Sequence, residues 1–267
     1  MMDATSKLIL NYNDIPAMPN VMVKALSVIK DEGSGLNDLA DVMCYDQALT
    51  TQVLRLVNSA YYGFAQQITS INKALPLLGM DQAKNIIITF AMKPMLTTRG
   101  GKTLWEHSIR AAVACEHIAK EFKLMDPTEA FVIGFLHDIG KIVLNMKNPI
   151  IYRKVEDMVA KGAKVVDAEN MFFGANHCDV GFLLAKKWQL PIVVINGIKY
   201  HHNPQASSMA NFAYLVYIAN ILTQERGSNT VLDPEVMKNS NIQIESPDVL
   251  RQTILSRASL LLASLSR

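Results

Sequence analysis

The strongest constraint on the fold is the stretch Phe131–Leu144, which is apolar except for His137, Asp138 and Lys141. A helix without a polar face is normally buried in the protein interior. Buried ionisable groups cost several kcal/mol unless partners compensate them. On a helix, Lys141 lies about one turn after the His-Asp pair, so all three side chains can face one cavity. The stretch therefore predicts a buried helix that forms the wall of a pocket.

The start of this helix is indicated by the four residues that precede the apolar stretch. Asp126 is an N-cap acceptor, Pro127 suits the first helical position and Glu129 suits the third. We therefore predict a single helix that begins near Asp126 and continues through the His-Asp pair.

The rest of the chain also predicts helices, because apolar residues recur at helical spacing and no segment alternates convincingly with period two. The predicted fold class is all-α, with an N-terminal bundle of short helices packed on a C-terminal helical domain. The other predicted helices are Pro19–Lys30, Leu36–Met43, Gln47–Tyr62, Ile71–Leu78, Asp81–Phe90, Leu104–Phe122, Ile150–Lys161, Val166–Trp188, a helix from Pro191 to about Tyr200, Met209–Glu225 and Asp248–Leu265.

The domain boundary is predicted from Thr97–Lys102, which contains two adjacent glycines and no apolar residue. We assign residues 1–98 to an N-terminal helical subdomain and residues 99–267 to the domain with the His/Asp pocket. The N-terminal part has no constellation of residues for chemistry, so we interpret it as a packing or interaction module.

The charge pattern and the cysteines exclude several classes of function. The formal net charge is +2 without long basic runs, which argues against binding to nucleic acid or to an anionic membrane. No apolar run reaches the ~18 to 20 residues of a membrane span, and the N-terminus does not resemble a signal peptide. Three cysteines far apart in the sequence predict reduced thiols and a cytoplasmic location.

Histidines are concentrated in the C-terminal part, on segments predicted to be helical and apolar. A lone histidine on such a helix is usually a satisfied core residue, whereas several of them with a buried carboxylate suit Zn, Mn, Fe or Ni. His117 lies on another face of its helix and is left out. The residues alone leave a metal centre and a hydrogen-bonded structural core as alternatives. The five candidates are His107, His137, His177, His201 and His202.

At the pair His137-Asp138 the sequence resembles the HD superfamily of metal-dependent phosphohydrolases, which is named for that doublet. More narrowly, nearly the whole chain resembles an HDOD domain, the HD-related output module of bacterial signalling proteins. Its N-terminal part distinguishes this family from ordinary HD hydrolases. The segments that carry the resemblance are Ile15–Pro19, Asp46–Thr50, Leu54–Ala60, Ala74–Gly79, Leu104–Ser108, Gly134–Lys141, Trp188–Pro191 and His201–His202.

The resemblance implies a set of metal ligands. In HD enzymes a first histidine, the His-Asp doublet and a later aspartate hold the metal, and His107, His137 and Asp138 match the first three. The later aspartate follows an alanine, but here Ala219 is followed by Asn220, a doubtful ligand that lacks the charge.

The C-terminal histidines correspond to a second metal subsite. In two-metal relatives further histidines complete that subsite, and His177, His201 and His202 resemble them, with the doublet aspartate bridging the ions. The Gly-Tyr-Pro motif of cyclic-dinucleotide phosphodiesterases is replaced by Asn203–Gln205, which argues against that activity.

Three hypotheses of function follow from these residues. The first is a regulatory signalling module whose pocket binds metal or a small anionic ligand without efficient hydrolysis. The second is an active metal-dependent phosphohydrolase on a nucleotide or phosphoester, in which Asp138 and Lys141 are catalytic. Lys141 either binds phosphate or pairs with Asp138. The third is a purely structural domain.

The cofactor and partners expected from the first two hypotheses are only broadly defined. The expected cofactor is one or two divalent ions of Fe, Mn, Ni, Zn or Mg. The expected partners are an unidentified signalling protein, a small phosphorylated ligand and a second copy of the chain in a homodimer, and neither nucleic acid nor a membrane.

Overall fold

The computed structural model of the protein describes residues 15–31, 33–97, 102–224 and 232–265, except for the side chains of residues 29, 30 and 102. Within these ranges the chain is helical and contains no strand, so the predicted all-α class is confirmed. The helices are α1 (Asn20–Lys30), α2 (Leu36–Cys44), α3 (Gln47–Val57), α4 (Ile71–Thr97), α5 (Lys102–Phe122), α6 (Pro127–Leu136), α7 (Gly140–Lys147), α8 (Pro149–Ala160), α9 (Val165–Phe173), α10 (His177–Lys187), α11 (Ile192–Tyr200), α12 (Ala210–Thr223), α13 (Pro234–Ser240) and α14 (Pro247–Leu265).

The chain forms two compact units. The first consists of Met1–Ala17, Leu136–Ile221 and Val231–Gln243. The second consists of Met18–Phe135, Leu222–Thr230 and Ile244–Arg267. Helix α5, which we predicted to belong with the C-terminal domain, packs against α4 and α14 in the second unit. The predicted linker and the boundary at residues 98 and 99 fall mainly on residues outside the description, so that boundary stays a prediction.

The second unit is built on α4, against which α1, α2, α3 and α5 pack. Helix α3 starts as predicted, because the Asp46 side chain accepts hydrogen bonds from the backbone of Ala48 and Leu49. It ends at Val57 instead of the predicted Tyr62. There the side-chain amide of Asn58 donates a hydrogen bond to the backbone oxygen of Ile68 and accepts one from its N–H, which closes the loop that follows.

Helix α4 contains the predicted stop at Gly79. Its φ of 77° and ψ of 166° break the helical path, and such positive φ values are accessible mainly to glycine. The predicted helices Ile71–Leu78 and Asp81–Phe90 are therefore two segments on either side of this break, and the second continues to Thr97.

The first unit contains the close packing of α7, α10 and α11. A side chain at Gly140 would collide with the backbone of His177 and Gly181, so the start of α7 lies directly against α10. A side chain at Gly181 would meet the Cγ2 atom of Ile198 on α11 at 2.7 Å. Because the two glycines have no side chains, the backbones of α7, α10 and α11 approach closely. The start of α7 and the start of α10 therefore lie next to each other.

Two of the predicted helices are each interrupted by a turn that we did not predict. The first turn contains the site residues His137 and Asp138, and the second precedes His177. The helix expected from Asp126 through Leu144 stops at Leu136, and His137–Ile139 form a turn before α7. The helix expected over Val166–Trp188 is broken after Phe173, where Gly174 adopts a left-handed conformation with φ 72°. Apolar residues occur on both sides of each turn, so the periodicity did not reveal the breaks.

Among the described residues, no helix combines the length and the apolar character needed to cross a membrane.

Candidate metal centre

The His-Asp pair lies in the turn that joins α6 to α7. Helix α6 begins as predicted, since the Asp126 carboxylate accepts hydrogen bonds from the backbone N–H groups of Thr128 and Glu129. Beyond Leu136 the backbone hydrogen bonds join residues three positions apart, as in a turn, instead of four positions apart as in an α-helix. His137 and Asp138 are both fully buried, and the close approach of Gly140 to α10 holds the turn against that helix.

His177 is the first residue of α10, and Glu169 on α9 fixes its orientation. The Glu169 carboxylate oxygen Oε2 accepts hydrogen bonds from the backbone N–H of His177 at 2.8 Å and from its ring Nδ1 at 2.6 Å. The side chain of Asn176 caps the helix by accepting hydrogen bonds from the next two backbone N–H groups. A carboxylate bound to one ring nitrogen directs the other toward a ligand, as in many metal sites.

His201 and His202 follow the end of α11. The Nδ1 atom of His201 lies 2.9 Å from the backbone oxygen of Ile198, so its Nε2 atom faces inward. The ring of His202 lies beside that of His201, with centroids 4.4 Å apart. His202 is only half-buried, but its Nε2 atom is buried and has no hydrogen-bond partner among the described residues.

The Asp138 carboxylate lies at the centre of the cluster and uses its two oxygens differently. Oδ1 lies 3.2 Å from Nε2 of His177 and 3.6 Å from Nε2 of His201. Oδ2 lies 3.3 Å from Nε2 of His137 and 2.6 Å from Nζ of Lys141. Each oxygen therefore faces its own set of cationic or nitrogen groups.

Lys141 pairs with Asp138, the second of the two interpretations that its sequence position allowed. The two residues lie on a turn and the helix that follows it, not on one continuous helix. Burial alone would lower the pKa of Lys141, but the Asp138 carboxylate raises it. Burial would likewise raise the pKa of Asp138, but His137 and Lys141 hold it well below its usual range.

The Nε2 atoms of His177 and His201 and the Oδ1 atom of Asp138 form a triangle of electron-pair acceptors. Because a carbonyl oxygen only accepts hydrogen bonds, Nδ1 of His201 carries its hydrogen. Oε2 of Glu169 accepts a hydrogen bond from the backbone N–H of His177, and we assign the hydrogen of that ring to Nδ1 in the same way. In neutral rings both Nε2 atoms then present lone pairs, although they lie only 3.1 Å apart. Such a triangle needs positive charge at its centre, either protons or a metal ion.

The pKa values of His177 and His201 are both raised, so the surroundings of these two rings favour positive charge. Burial would lower the pKa of His177, but Cys178 and Glu169 raise it to about 10. The pKa of His201 is raised to about 9, since Cys178 and Asp138 outweigh burial. Burial and the charges of His201 and His177 hold the pKa of His202 far below its usual range, so His202 is neutral.

Two residues of the cluster were missed by the sequence analysis. Glu169 was hidden because it lies on α9, which we had merged with α10. Cys178 immediately follows His177, and its Sγ atom lies 3.7 Å from Nε2 of His177 and 3.9 Å from Nε2 of His201. The His-Cys dipeptide after the capping residue Asn176 was the signal that could have found it. Burial would raise the pKa of this thiol, but His201 and His177 lower it to about 6.

The first unit thus brings together most of the residues predicted for the site. They are His137, Asp138, Lys141, His177, His201 and His202. Asn220 is buried on α12, also in the first unit. His107 is half-buried on α5 in the second unit. The ligand roles of all these residues stay predictions.

The helical fold and the buried cluster define the class of HD-like helical domains that the sequence resembles. The profile of the HDOD domain family matches residues 15–204, and the chain belongs to that family.

Known proteins similar to this chain include an HDOD domain protein of unknown function from Geobacter sulfurreducens. That structure has a TM-score of 0.78 and 25% identity, and the match covers 95% of this chain and 93% of the other. A candidate signal transduction protein from Marinobacter aquaeolei VT8 has the same fold, with a TM-score of 0.78 and 20% identity over 98% of this chain and 63% of that one.

An uncharacterised protein of Treponema pallidum (strain Nichols) is 28% identical over 72% of this chain. The chain spans only 38% of the length of that relative.

Proposed function

We propose that the protein is an HDOD-type regulatory module of signal transduction whose His/Asp pocket binds divalent metal or a small anionic ligand without efficient hydrolysis. The observation that carries the proposal is the buried triangle of Asp138, His177 and His201, three acceptor atoms that need a shared positive charge. Two nitrogen ligands of a tetrahedral zinc ion lie roughly 3.4 Å apart for Zn–N bonds of about 2.0–2.1 Å. The observed separations of 3.1, 3.2 and 3.6 Å fit that size.

The residues proposed to hold the metal fall into two subsites that share Asp138. Oδ1 would act with His177, His201 and His202. Oδ2 would act with His137, which lies 3.3 Å away, and with the predicted ligand Asn220. A divalent ion lowers the pKa of a bound water and neutralises phosphate charge. Glu169 orients His177 for this role.

Two features favour regulation over efficient turnover. Asn220 provides no charge where the HD pattern has its later carboxylate, so the proposed subsite of His137 binds metal more weakly. Lys141, the candidate phosphate-binding cation, lies 2.6 Å from Asp138 Oδ2 and is engaged by that carboxylate. Both features leave the pocket able to bind a ligand but poorly equipped for hydrolysis.

The experiment that tests the proposal combines metal analysis with an activity screen on tagless protein. We expect wild-type protein to retain Zn, Mn, Fe or Ni after dialysis, and Asp138→Ala to lose it. Asp167→Asn changes an exposed carboxylate on α9 and serves as the matched control. A broad screen of nucleotides and phosphodiesters should detect no turnover that depends on Asp138. Turnover that Asp138→Ala abolishes would overturn the regulatory assignment.

The second candidate function is an active metal-dependent phosphohydrolase. It is favoured by the assembly of the Asp138 carboxylate, four imidazole rings and Lys141 in a single cluster. In that case Asp138 and Lys141 would be catalytic, and a small phosphorylated compound would be the substrate. The same activity screen separates the two functions.

The signalling partner is proposed to contact the helices of the N-terminal part. Leu77 on α4 and Tyr45 after α2 expose 52% and 77% of their surface, respectively, and offer apolar contact area there. Leu77→Glu should weaken binding of a partner, or of a second copy of the chain, without changing the metal content. The cytoplasmic location stays a prediction.

A further inference from the structure

We infer that Cys178 is a thiolate ligand of the pocket and that the pocket therefore takes a thiophilic transition metal, zinc above all. The inference rests on the proposed metal-binding function and names the class of metal. The HD pattern that the sequence resembles supplies nitrogen and oxygen ligands, so a sulfur ligand lies outside that pattern.

The position of the sulfur atom supports the inference. In a tetrahedral site with Zn–N bonds of about 2.0–2.1 Å and Zn–S bonds of about 2.3 Å, nitrogen and sulfur ligands lie roughly 3.6 Å apart. The Sγ atom of Cys178 lies 3.7 Å from Nε2 of His177 and 3.9 Å from Nε2 of His201. With the Nε2 atoms 3.1 Å apart, the three atoms form one face of such a tetrahedron.

The fourth position of the tetrahedron has two candidates, Oδ1 of Asp138, which lies 3.2 Å from Nε2 of His177 and 3.6 Å from Nε2 of His201, and a ring nitrogen of His202. One ring nitrogen of His202 belongs to the same group, in which every ligand atom lies within 4.8 Å of the others. The buried Nε2 atom of His202 has no hydrogen-bond partner among the described residues. Leaving a buried polar atom without a partner is unfavourable, and coordination of a metal ion by this nitrogen would remove that cost.

Hydrogen bonds from neighbouring groups fix the orientation of these candidate ligands. Glu169 and the Ile198 carbonyl bind the Nδ1 atoms of His177 and His201, which leaves both Nε2 atoms directed inward. The Asn176 side chain accepts a hydrogen bond from the Cys178 backbone at 3.0 Å and fixes the residue at the start of α10. The outer partners that zinc sites use to orient their ligands are therefore present.

The sulfur ligand changes which metals the pocket prefers. Thiolate is a soft ligand that suits zinc and other thiophilic ions, whereas Mg and Ca bind oxygen ligands. A set of three nitrogens and one sulfur, or of two nitrogens, one oxygen and one sulfur, therefore selects zinc or cobalt over magnesium.

The test is cobalt(II) titration of the metal-free full chain, followed by absorption spectroscopy. The visible d–d bands of cobalt report metal uptake, and a thiolate-to-cobalt charge-transfer band in the near ultraviolet reports sulfur ligation. We expect both signals in wild-type protein. Cys178→Ser should keep weaker cobalt uptake, reduced at least about tenfold in affinity, and should lose the charge-transfer band.

The other two cysteines are the matched controls. Cys44 is exposed on α2 and Cys115 is fully buried on α5, so Cys44→Ser and Cys115→Ser should keep the band. Visible cobalt bands without a charge-transfer band, or a band that persists in Cys178→Ser, would overturn the role of the thiolate while leaving the metal site intact. No cobalt uptake at all would overturn the metal-binding function itself, and the thiolate with it.

A measurement on wild-type protein makes the test independent of how the variants fold. X-ray absorption of the zinc-loaded chain should give one sulfur neighbour at about 2.3 Å. A first coordination shell of nitrogen and oxygen alone would contradict the inference.

Discussion

The Nε2 atoms of His177 and His201 lie 3.1 Å apart, although each ring already donates its Nδ1 hydrogen to another group. Two imidazole lone pairs at that distance repel each other unless a proton or a metal ion lies between them. Asp138 Oδ1 is directed at the same point. The pocket is therefore built around positive charge, and under the proposed function the residues that orient its rings control its affinity for metal.

Glu169→Gln should lower the affinity of the protein for zinc by about 10- to 100-fold, the usual effect of losing an outer partner. The variant removes the charge that holds Nδ1 of His177 while keeping the size of the side chain. Competition with a fluorescent zinc chelator measures the change. Glu156→Gln, on the exposed side of α8, is the control and should leave the affinity unchanged. Equal affinities in the two variants would contradict the orienting role of Glu169.

Asn220→Asp should tighten metal binding at least about tenfold, a change as large as outer-shell residues typically cause. The substitution restores the carboxylate that the HD pattern has after Ala219. Isothermal titration calorimetry with manganese measures the effect. Unchanged metal occupancy would count against the assignment of Asn220 to the ligand position.

Gly140→Ala should destabilise the protein by about 1–3 kcal/mol, the usual cost of overpacking. The new methyl group would collide with the backbone of His177 and force α7 away from α10. Urea unfolding measures the stability. At Gly35 an added Cβ meets nothing within 4 Å, so Gly35→Ala is the control and should change little. A Gly140→Ala variant as stable as the control would contradict the close contact.

Asn58→Ala should lower the free energy of unfolding by about 1–2 kcal/mol, because it removes several hydrogen bonds at a partly exposed site. The amide of Asn58 bonds the carbonyl groups of Leu54 and Ile68 and the N–H of Ile68, at 2.7–2.8 Å. Chemical denaturation measures the loss. Gln66→Ala, in the exposed part of the same loop, should have a smaller effect. Equal losses would mean that the Asn58 bonds do not stabilise the loop.

Tyr62 should make the second unit sensitive to alkaline pH. Burial and the neighbouring Tyr61 and Glu116 raise the pKa of Tyr62 far above its usual range. A raised pKa gives stability that is complete below the unfolded value of about 10 and is lost as pH rises above it. Thermal unfolding between pH 9 and 11 should show a smaller loss for Tyr62→Phe than for wild-type protein. Tyr45→Phe, at a site 77% exposed, should follow the wild-type curve.

The sequence predicted the helical class and most helix starts because the caps are local features. Asp46 and Asp126 cap the helices that follow them, as their positions indicated. The turns at His137 and Gly174 were missed because close contacts between distant segments, such as Gly140 against His177, decide them.

The polar members of the pocket were predictable only in part. His137, Asp138 and His177 belong to a recognised pattern, so the sequence alone pointed to them. Glu169 and Cys178 lie outside that pattern, and only the turn between α9 and α10 brings them to the cluster. A sequence pattern predicts only the residues that belong to it, whereas Glu169 and Cys178 are found from their distances to His177.

The contact of Gly140 with the backbone of α10 has a consequence for ion size. Calcium prefers six to eight oxygen ligands at about 2.3–2.6 Å, farther out than the ligands of zinc. A pocket widens when side chains between its walls rotate away, but here the two walls meet backbone to backbone. The main chain thus fixes the separation of the two segments that carry Asp138 and His177, and we expect the proposed metal site to discriminate against calcium by size.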